Sequence, residues 1–330
     1  MTPDRGPPQA DDEDRTRWAR VGGLLANDEV VTVDRLHLLS ASVGNDEATA
    51  ALYWRLRQSA CHGPLVRAVE RGDCPGIDVA PYVLIVPGAF HRHHAGTGAD
   101  GRKVLAAAVT LGWKAEVLPV GSLSPMDANA AALVDRLHEL GERPVLIVSL
   151  SKGSADVAIA LRRAEATTAF ANVVGWLGLS GLVLGTPLVD WLRRQWWRMP
   201  GVRLLLWWMG LRLAEVAELS HGAGGRLHEP PTLPPHVRAI HVIGFPCRKH
   251  LRHPWAGRGY ERLLPLGPND GGGILLGDVE RLTGTVYPVW GVDHYLSPAW
   301  DFTPSLTSLL CHAAVSQTAP TATPAIKSST

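Results

Sequence analysis

The chain lacks long apolar runs and has few cysteines. No stretch of its 330 residues reaches the length of about eighteen uninterrupted apolar residues that a membrane-spanning helix needs, so we expect no such helix. The four cysteines, Cys61, Cys74, Cys247 and Cys311, are widely scattered and form no C-x-x-C pair. This spacing argues against a zinc or dithiol redox site and predicts reduced, mostly structural thiols.

Net charge is also small. A formal charge of +1 gives no reason to expect a nucleic-acid partner through bulk electrostatics. Residues 1–17 are polar, acidic and proline-bearing, without the apolar core of a secretion signal. We therefore predict a disordered N-terminal segment and a cytoplasmic protein. Residues 316–330 are low in complexity and predict a disordered tail.

What the chain does have is enough apolar material for one large core. At 35.5 kDa, with 46% apolar and 19% charged residues, it suits a single-sheet α/β domain. Helical spacing of apolar residues predicts a helical extension over residues 18–75, with a short strand at 30–33. The α/β domain is expected over residues 76–315.

From Pro81 onward, short apolar β-type stretches alternate with amphipathic helical segments. Such alternation is typical of βαβ units, and it predicts an α/β fold with a mainly parallel sheet of about six strands flanked by helices. The expected strands cover residues 82–86, 114–120, 145–150, 173–179, 236–244 and 285–290. In an open parallel sheet the loops at the carboxyl ends of the strands carry the chemistry.

Ser151 is the candidate nucleophile. The sequence Ser149-Leu150-Ser151-Lys152-Gly153 joins the strand at 145–150 directly to a helical segment. A serine on such a sharp turn has its hydroxyl exposed beside the N–H groups of a helix N-terminus, and small neighbours are needed because the turn is strained. The alternative interpretation is an ordinary strand-to-helix turn with a structural role only, capped by Ser149 or Ser154.

An acid and a base candidate follow downstream in the order Ser, Asp, His. His294 comes directly after the last predicted strand and is the candidate general base. Asp270, in an Asn-Asp-Gly turn, is the candidate that orients the imidazole. Asp278 and Asp293 are the rival acids, although Asp293 adjoins His294 and is poorly placed to bond its ring.

The first predicted strand ends in Pro87-Gly88-Ala89-Phe90. A glycine turn there directs backbone N–H groups toward a developing negative oxygen, so the Ala89 amide and the Lys152 amide are the candidate oxyanion donors. Phe90 is the alternative second donor.

Histidines and basic residues cluster in two further loops. We expect no metal site, because the adjacent His91, His93 and His94 rarely supply a closed ligand set and no Asp, Glu or Cys stands at ligand spacing. These three histidines fit better as a polar rim around the mouth of the site that contains Ser151. The basic run at residues 248–253 predicts a solvated loop, with an anionic substrate or lipid group as the alternative.

Two insertions interrupt the last strands, at about residues 186–235 and 246–266. The first is rich in tryptophan and arginine, and it predicts either a lid over the site, with interfacial lipid contact as a further option, or a helical pair packed on the core. Its tryptophans include Trp191, Trp196, Trp197, Trp207 and Trp208.

These motifs together resemble the α/β-hydrolase superfamily, and most of all bacterial serine esterases and lipases. The resemblance covers residues 81–314 and is carried by VLIVPGAF, VSLSKG, PNDG and WGVDHY, with GTPLVD similar to a segment that leads into the lid of some bacterial lipases. Ser149 in place of the first elbow glycine and Pro87 in place of a histidine depart from the usual pattern.

The resemblance implies a cofactor-free hydrolase in which Ser151 attacks a hydrophobic carboxylic ester, with His294 and Asp270 completing the triad. It also implies substrate contacts from Phe90, and from Trp191, Trp196 and Trp197 in the lid. An acyltransferase or thioesterase with the same triad is the first alternative. A noncatalytic binding protein built on the same scaffold is the second.

Overall fold

A single parallel sheet organises the computed structural model, which describes residues 10–25, 30–89, 98–121, 124–195, 216–296 and 301–315. Its six strands lie in the order β2-β1-β3-β4-β5-β6, and every neighbouring pair is parallel. The strands are β1 (Tyr82–Val86), β2 (Ala115–Val117), β3 (Val145–Leu150), β4 (Val173–Leu179), β5 (Arg238–Phe245) and β6 (Thr285–Trp290). The predicted six-stranded parallel sheet is therefore confirmed, with β2 shorter than expected.

The central strands are apolar along their whole length because both faces of the sheet are covered. Every residue of β3 is buried, as expected for a parallel strand with helices on both sides. The helices that follow β1, β2 and β3 are α5 (Arg102–Thr110), α6 (Met126–Leu140) and α7 (Lys152–Ala160). A short α8 (Ala166–Ala169) leads into β4, α9 (Pro187–Gln195) and α10 (Pro254–Leu263) lie in the two insertions, and α11 (Thr303–Ala314) closes the domain.

Four helices precede the sheet: α1 (Asp12–Val21), α2 (Val33–Val43), α3 (Asn45–Gln58) and α4 (Gly63–Glu70). They pack beside β5 and β6 through an aromatic cluster in which Tyr53 lies 5.0 Å from Trp290 and Trp18 lies 5.2 Å from it, between ring centroids. The N-terminal helices thus share a core with the strands at one edge of the sheet.

Two expectations for this region are wrong. Residues 12–17 of the predicted disordered segment are helical, because the Asp11 side chain caps α1 by accepting from the Asp14 N–H at 2.8 Å and acidic residues fill the first turn. The predicted strand at residues 30–33 does not form. Thr32 instead caps α2, its Oγ1 accepting from the Arg35 N–H at 3.2 Å.

The cysteines also differ from expectation. Cys74, just after α4, forms a disulfide with Cys311 in α11, across 237 residues of sequence. Cys61 and Cys247 are free thiols. The spacing of the cysteines in the sequence does not indicate the Cys74–Cys311 pair, because only the folded chain brings these two positions together.

The basic run in the second insertion is not a free solvated loop. Lys249 Nζ lies 2.9 Å from Asp11 Oδ2, 3.0 Å from Glu13 Oε2 and 3.0 Å from Asp14 Oδ1, so the start of α1 docks on this insertion. Arg248 pairs with Glu261 at 2.5 Å.

Several predictions fall outside the described residues, namely those for 1–9, for the tail at 316–330 and for Trp196, Trp197, Trp207 and Trp208 of the first insertion. Lipid contact through that insertion stays a prediction. Across the ranges that the structure describes, no helix is both long and apolar enough to cross a bilayer.

Candidate active site

Ser151 lies on the sharp turn between β3 and α7. Its φ of 46° and ψ of −112° place it in a strained region that a non-glycine residue rarely adopts. Gly153 permits this turn, because a Cβ there would lie 2.4 Å from the Val86 carbonyl oxygen at the end of β1. The close approach of α7 to β1 therefore explains why the motif requires a small residue at this position.

The unusual Ser149 has a structural role just before the turn. Its side chain is fully buried, and Oγ accepts from Trp176 Nε1 at 2.7 Å and is bonded to Ser154 Oγ at 2.7 Å. The Ser149 hydroxyl thus provides a hydrogen-bond partner both for the buried indole N–H of Trp176 in β4 and for the buried Ser154 hydroxyl in the first turn of α7.

His294 and Asp270 meet Ser151 at the carboxyl edge of the sheet. The Ser151 hydroxyl lies 2.9 Å from His294 Nε2, and His294 Nδ1 lies 2.6 Å from Asp270 Oδ2. The structure thus brings together three side chains that are far apart in sequence. When Nδ1 carries the proton and its N–H donates a hydrogen bond to the Asp270 carboxylate, Nε2 is unprotonated and can accept the proton of the Ser151 hydroxyl.

Asp270 is held rigidly. It is fully buried, and its Oδ1 accepts from the N–H groups of Gly272, Gly273 and Ile274, each at 2.9 Å. The loop passes directly over the imidazole at Gly272, where a Cβ would lie 2.0 Å from His294 Cγ. Glycine is required there by this contact.

The rival acids are engaged elsewhere. Asp278 contacts His221 Nε2 at 2.6 Å and Arg281 Nη1 at 2.7 Å. Asp293 accepts from the Tyr295 N–H at 3.1 Å. Of the three candidate carboxylates, Asp270 is the one in contact with the His294 ring.

The electrostatics of His294 favour its charged form. Burial acts to lower the pKa of His294, but the charge of Asp270 and the hydrogen bond to it outweigh burial, and the net effect raises the pKa above 6.5. A protonated imidazole is thus better tolerated here than in water.

The candidate oxyanion donors are the backbone amides of Ala89 and Lys152. Lys152 is the first residue of α7, where backbone N–H groups have no partner within the helix. Its side chain is buried and directed to Asp156, with Nζ 2.8 Å from Oδ1. Ala89 lines the cavity at Ser151, whereas Phe90 lies outside the described residues.

A cavity of about 240 Å³ opens beside Ser151 and His294. Its walls are mainly apolar, and they include Val104, Leu150, Leu179, Leu182, Leu296, Phe302 and Leu306, with Trp255 and Tyr295. Sequence reasoning missed most of these residues. Tyr295 and Leu296 directly follow His294, and Ser180 directly follows β4. The expectation that functional residues follow the carboxyl ends of strands, which identified Ser151, could therefore also have identified these three.

Trp191 does not line this cavity. It lies in a second groove of about 970 Å³, where the guanidinium of Arg262 sits 4.5 Å from its ring centroid. The predicted substrate contact of Trp191 at Ser151 therefore has no support at its observed position. Trp196, Trp197 and the histidines at 91, 93 and 94 are outside the described residues.

Among the described residues, no group of three or more His, Cys, Asp or Glu side chains converges as a metal site requires.

No protein-family model and no curated protein matches this chain. Solved structures do match. The lipase BlEst2 from Bacillus licheniformis, in its mature form, is 20% identical, with 72% of this chain and 91% of that chain covered and a TM-score of 0.50. A metagenomic carboxyl esterase, MGS0156, is 19% identical over 72% of this chain and 75% of that chain, with a TM-score of 0.45.

The thioesterase domain of NocB, from the nocardicin cluster, is 18% identical over 70% of this chain and 93% of that chain, with a TM-score of 0.35. At such identities the likeness to the lipase bears on architecture alone. Together with the sheet order and its flanking helices, it shows that the chain has the α/β-hydrolase fold.

Proposed function

We propose that this protein is a serine hydrolase that cleaves carboxylic esters through an acyl-enzyme. One observation carries the proposal: a continuous hydrogen-bond chain from the Ser151 hydroxyl through His294 to a buried Asp270. The fold alone does not decide the reaction, because the same architecture hosts many activities. The chain of three side chains is what favours nucleophilic catalysis.

In the proposed mechanism, Ser151 Oγ attacks the ester carbonyl carbon while His294 Nε2 takes the hydroxyl proton. The amides of Ala89 and Lys152 donate to the oxygen that becomes negative. Collapse of the tetrahedral intermediate breaks the bond to the alcohol oxygen, which receives the proton from His294 and leaves. Water then attacks the acyl-enzyme with His294 again acting as base, and Ser151 is regenerated.

The proposed substrate is a small hydrophobic ester. The cavity next to Ser151 is bounded mainly by leucine, valine and aromatic side chains, which favour an acyl group over a charged one. At about 240 Å³ it lies slightly below the range of about 300–1,000 Å³ usual for drug-sized ligands. We therefore expect kcat/KM to fall as the acyl chain of p-nitrophenyl esters is lengthened.

Fluorophosphonate labelling tests the proposal directly. The wild-type protein should be labelled on the peptide that contains Ser151, and heat-denatured protein should not. Ser151→Ala should abolish both labelling and ester turnover. Ser42→Ala, which removes an exposed hydroxyl of α2 that bonds only the Leu39 carbonyl in the described residues, should change neither.

Absence of labelling in the native protein, or equal labelling of the wild type and Ser151→Ala, would contradict the proposal and favour the noncatalytic scaffold. Hydrolysis and acyl transfer are separated by product analysis with and without an alcohol acceptor. Dominant transfer to the alcohol would replace the hydrolase assignment with an acyltransferase. Preferred cleavage of matched thioesters would replace it with a thioesterase.

A further inference from the structure

Trp255 is an exposed tryptophan at the cavity beside Ser151, and nothing in the mechanism above uses it. It is the second residue of α10, it is 40% exposed, and it lines the cavity. Of the exposed large apolar residues of the described chain, it is the only aromatic one and the only one at this cavity. A scattered apolar residue on a surface is ordinary, but one that adjoins a cavity offers apolar surface to whatever fills it.

Trp255 stands at the end of a row of rings that begins at the candidate base. The ring centroids of His294 and Tyr295 are 5.7 Å apart, and those of Tyr295 and His253 are 4.2 Å apart. The row continues from His253 to Trp255, whose ring centroids are 5.6 Å apart. Each ring therefore packs against the next, from the imidazole beside Ser151 to the first turn of α10.

Backbone hydrogen bonds hold this row in place. The Tyr295 N–H donates to Asp293 Oδ1 at 3.1 Å, and the His253 N–H donates to Asp293 Oδ2 at 3.4 Å. One carboxylate thus joins the loop after β6 to the start of α10. The Trp255 N–H donates in turn to His253 Nδ1 at 3.3 Å. Because the backbone of Trp255 is anchored before a ligand arrives, less conformational freedom is lost when a ligand packs on its ring.

The rings that line the cavity favour an aromatic ligand. Three of the four rings in the row do so, namely those of His294, Tyr295 and Trp255. An aromatic ring has a negative face and a positive edge, so two such rings attract each other beyond the gain from burying apolar area. The cavity measures about 240 Å³, and an engineered apolar cavity of about 150 Å³ binds benzene, so a single ring can be accommodated.

We propose that the cavity binds an aromatic ring of the substrate, which packs against Trp255 and Tyr295 while Ser151 attacks the ester carbonyl. This inference rests on the proposed function and narrows its substrate class. The class is a small ester whose aromatic ring is linked to the ester group through one carbon, as in phenylacetate and benzyl esters. Trp255 is a specificity residue in this view, because it contacts the ring and not the reacting atoms.

Matched substrate pairs test the inference. Each pair exchanges a phenyl ring for a cyclohexyl ring, which has the same number of carbon atoms but no aromatic face. Ethyl phenylacetate is compared with ethyl cyclohexylacetate, and benzyl acetate with cyclohexylmethyl acetate. Each kcat/KM is divided by the rate constant for alkaline hydrolysis of the same ester, which removes differences in intrinsic reactivity. The wild type should then favour the aromatic member of at least one pair by about 3- to 10-fold.

The pair that responds shows whether the ring lies on the acyl or the alcohol side. Trp255→Leu removes the aromatic ring and keeps an apolar side chain, so the corrected ratio of that pair should fall to near one. Trp255→Phe keeps a ring and should keep a preference for the aromatic member. Fluorophosphonate labelling of both variants checks that Ser151 is still reactive.

The control is Trp191→Leu. Trp191 is also a tryptophan at the start of an insertion, but it lies in the second groove and does not line the cavity. This variant should keep the wild-type ratio.

Corrected ratios near one for both pairs in the wild type, an unchanged ratio in Trp255→Leu, or an equal fall in Trp191→Leu would overturn the inference. The proposed function survives each of these results if p-nitrophenyl esters are still cleaved and Ser151→Ala abolishes that cleavage. If no ester is cleaved and fluorophosphonate does not react, the proposed function fails and this inference fails with it.

Discussion

At the scale of single residues, the imidazole of His294 is buried and is in contact with a charged partner, the Asp270 carboxylate. A buried histidine without such a partner becomes neutral more readily than one in water, and His241 in β5 does so: burial lowers its pKa to about 4. At His294 the Asp270 carboxylate reverses that tendency and raises the pKa above 6.5. The two buried histidines thus differ because His294 has a carboxylate neighbour.

This difference predicts a pH dependence. Because His294 must be neutral to accept the Ser151 proton, kcat/KM should fall on the acid side with an apparent pKa above 6.5. In Asp270→Asn the raising charge is lost, so the acid limb should move to lower pH, and turnover should drop by roughly 10³- to 10⁴-fold through loss of the correct tautomer. Rates for a neutral ester between pH 5 and 9 measure both effects.

An acid limb well below 6.5 in the wild type would contradict the assignment of His294 as base. Full activity in Asp270→Asn would remove Asp270 from the mechanism. Asp278→Asn is the comparison variant, because its carboxylate contacts His221 and Arg281 rather than His294.

Ser149 gives a second prediction at this scale. Ser149→Ala leaves the indole N–H of Trp176 buried without its acceptor, which should lower the free energy of unfolding by about 1–3 kcal/mol. Once Trp176→Phe has removed the donor, the same change should cost less, giving a coupling energy of about 1 kcal/mol or more in a double-mutant cycle. Denaturant unfolding of the four proteins supplies the values. Strict additivity would show that this hydrogen bond does not stabilise the fold.

The triad candidates were predictable from sequence because each follows a strand at the same edge of the sheet. Ser151, Asp270 and His294 were named in this way, and the structure places their side chains in contact. The cavity wall was not, since Phe302 and Leu306 come from the last helix and Trp255 from an insertion, and only the folded chain places them beside Ser151. The sequence already favoured Asp270 over Asp278, but only the structure shows that Asp270 contacts the His294 ring whereas Asp278 contacts His221 and Arg281.

At the scale of whole elements, the strands were predicted well and the first helix was not. β1, β3, β4 and β6 are apolar runs buried on both faces, a pattern with few competing interpretations. The start of α1 is acidic and has little apolar periodicity, so composition indicated disorder. Its stabilising partner is Lys249, more than 230 residues further along the chain.

The contact between α1 and Lys249 yields a prediction of its own. Lys249→Ala should reduce the free energy of unfolding by about 1–2 kcal/mol, because Asp14, whose side chain is 3% exposed, loses its cationic neighbour. The loss should shrink at high salt, since Asp11 and Glu13 are largely exposed. Thermal unfolding at two ionic strengths measures it.

Lys114→Ala is the matched control, because Lys114 is an exposed lysine just before β2. It should shift the unfolding temperature little at either ionic strength. Equal effects of the two substitutions would mean that the docking of α1 contributes nothing beyond a surface lysine.

At the scale of the whole molecule, the disulfide joins the end of the helical extension to the last helix. Disulfides are rare in reducing compartments, so this pair is more usual in proteins of oxidising ones; the cytoplasmic setting stays a prediction. Cys61 is exposed and free, so it serves as an internal reference for alkylation.

Removal of this bond should be costly. Cys74→Ser with Cys311→Ser should reduce the free energy of unfolding by about 2–5 kcal/mol, since the crosslink restricts a long stretch of the unfolded chain. Non-reducing peptide mapping should recover the 74–311 peptide pair, and calorimetry should show a lower melting temperature for the double variant. Free thiols at both positions in protein prepared without reductant would contradict the pairing, and Cys61→Ser should leave the melting temperature unchanged.

The position of this bond in the chain has one more consequence. All six strands and Ser151, Asp270 and His294 lie between its two ends, whereas helices α1 to α4 lie outside them. A protease that nicked any single loop between the ends would leave both fragments tethered, and Ser151 and His294 would stay on one covalent body. A nick before Cys74 would instead leave the helices before it held to the sheet by noncovalent packing alone, with the covalent closure of the sheet intact.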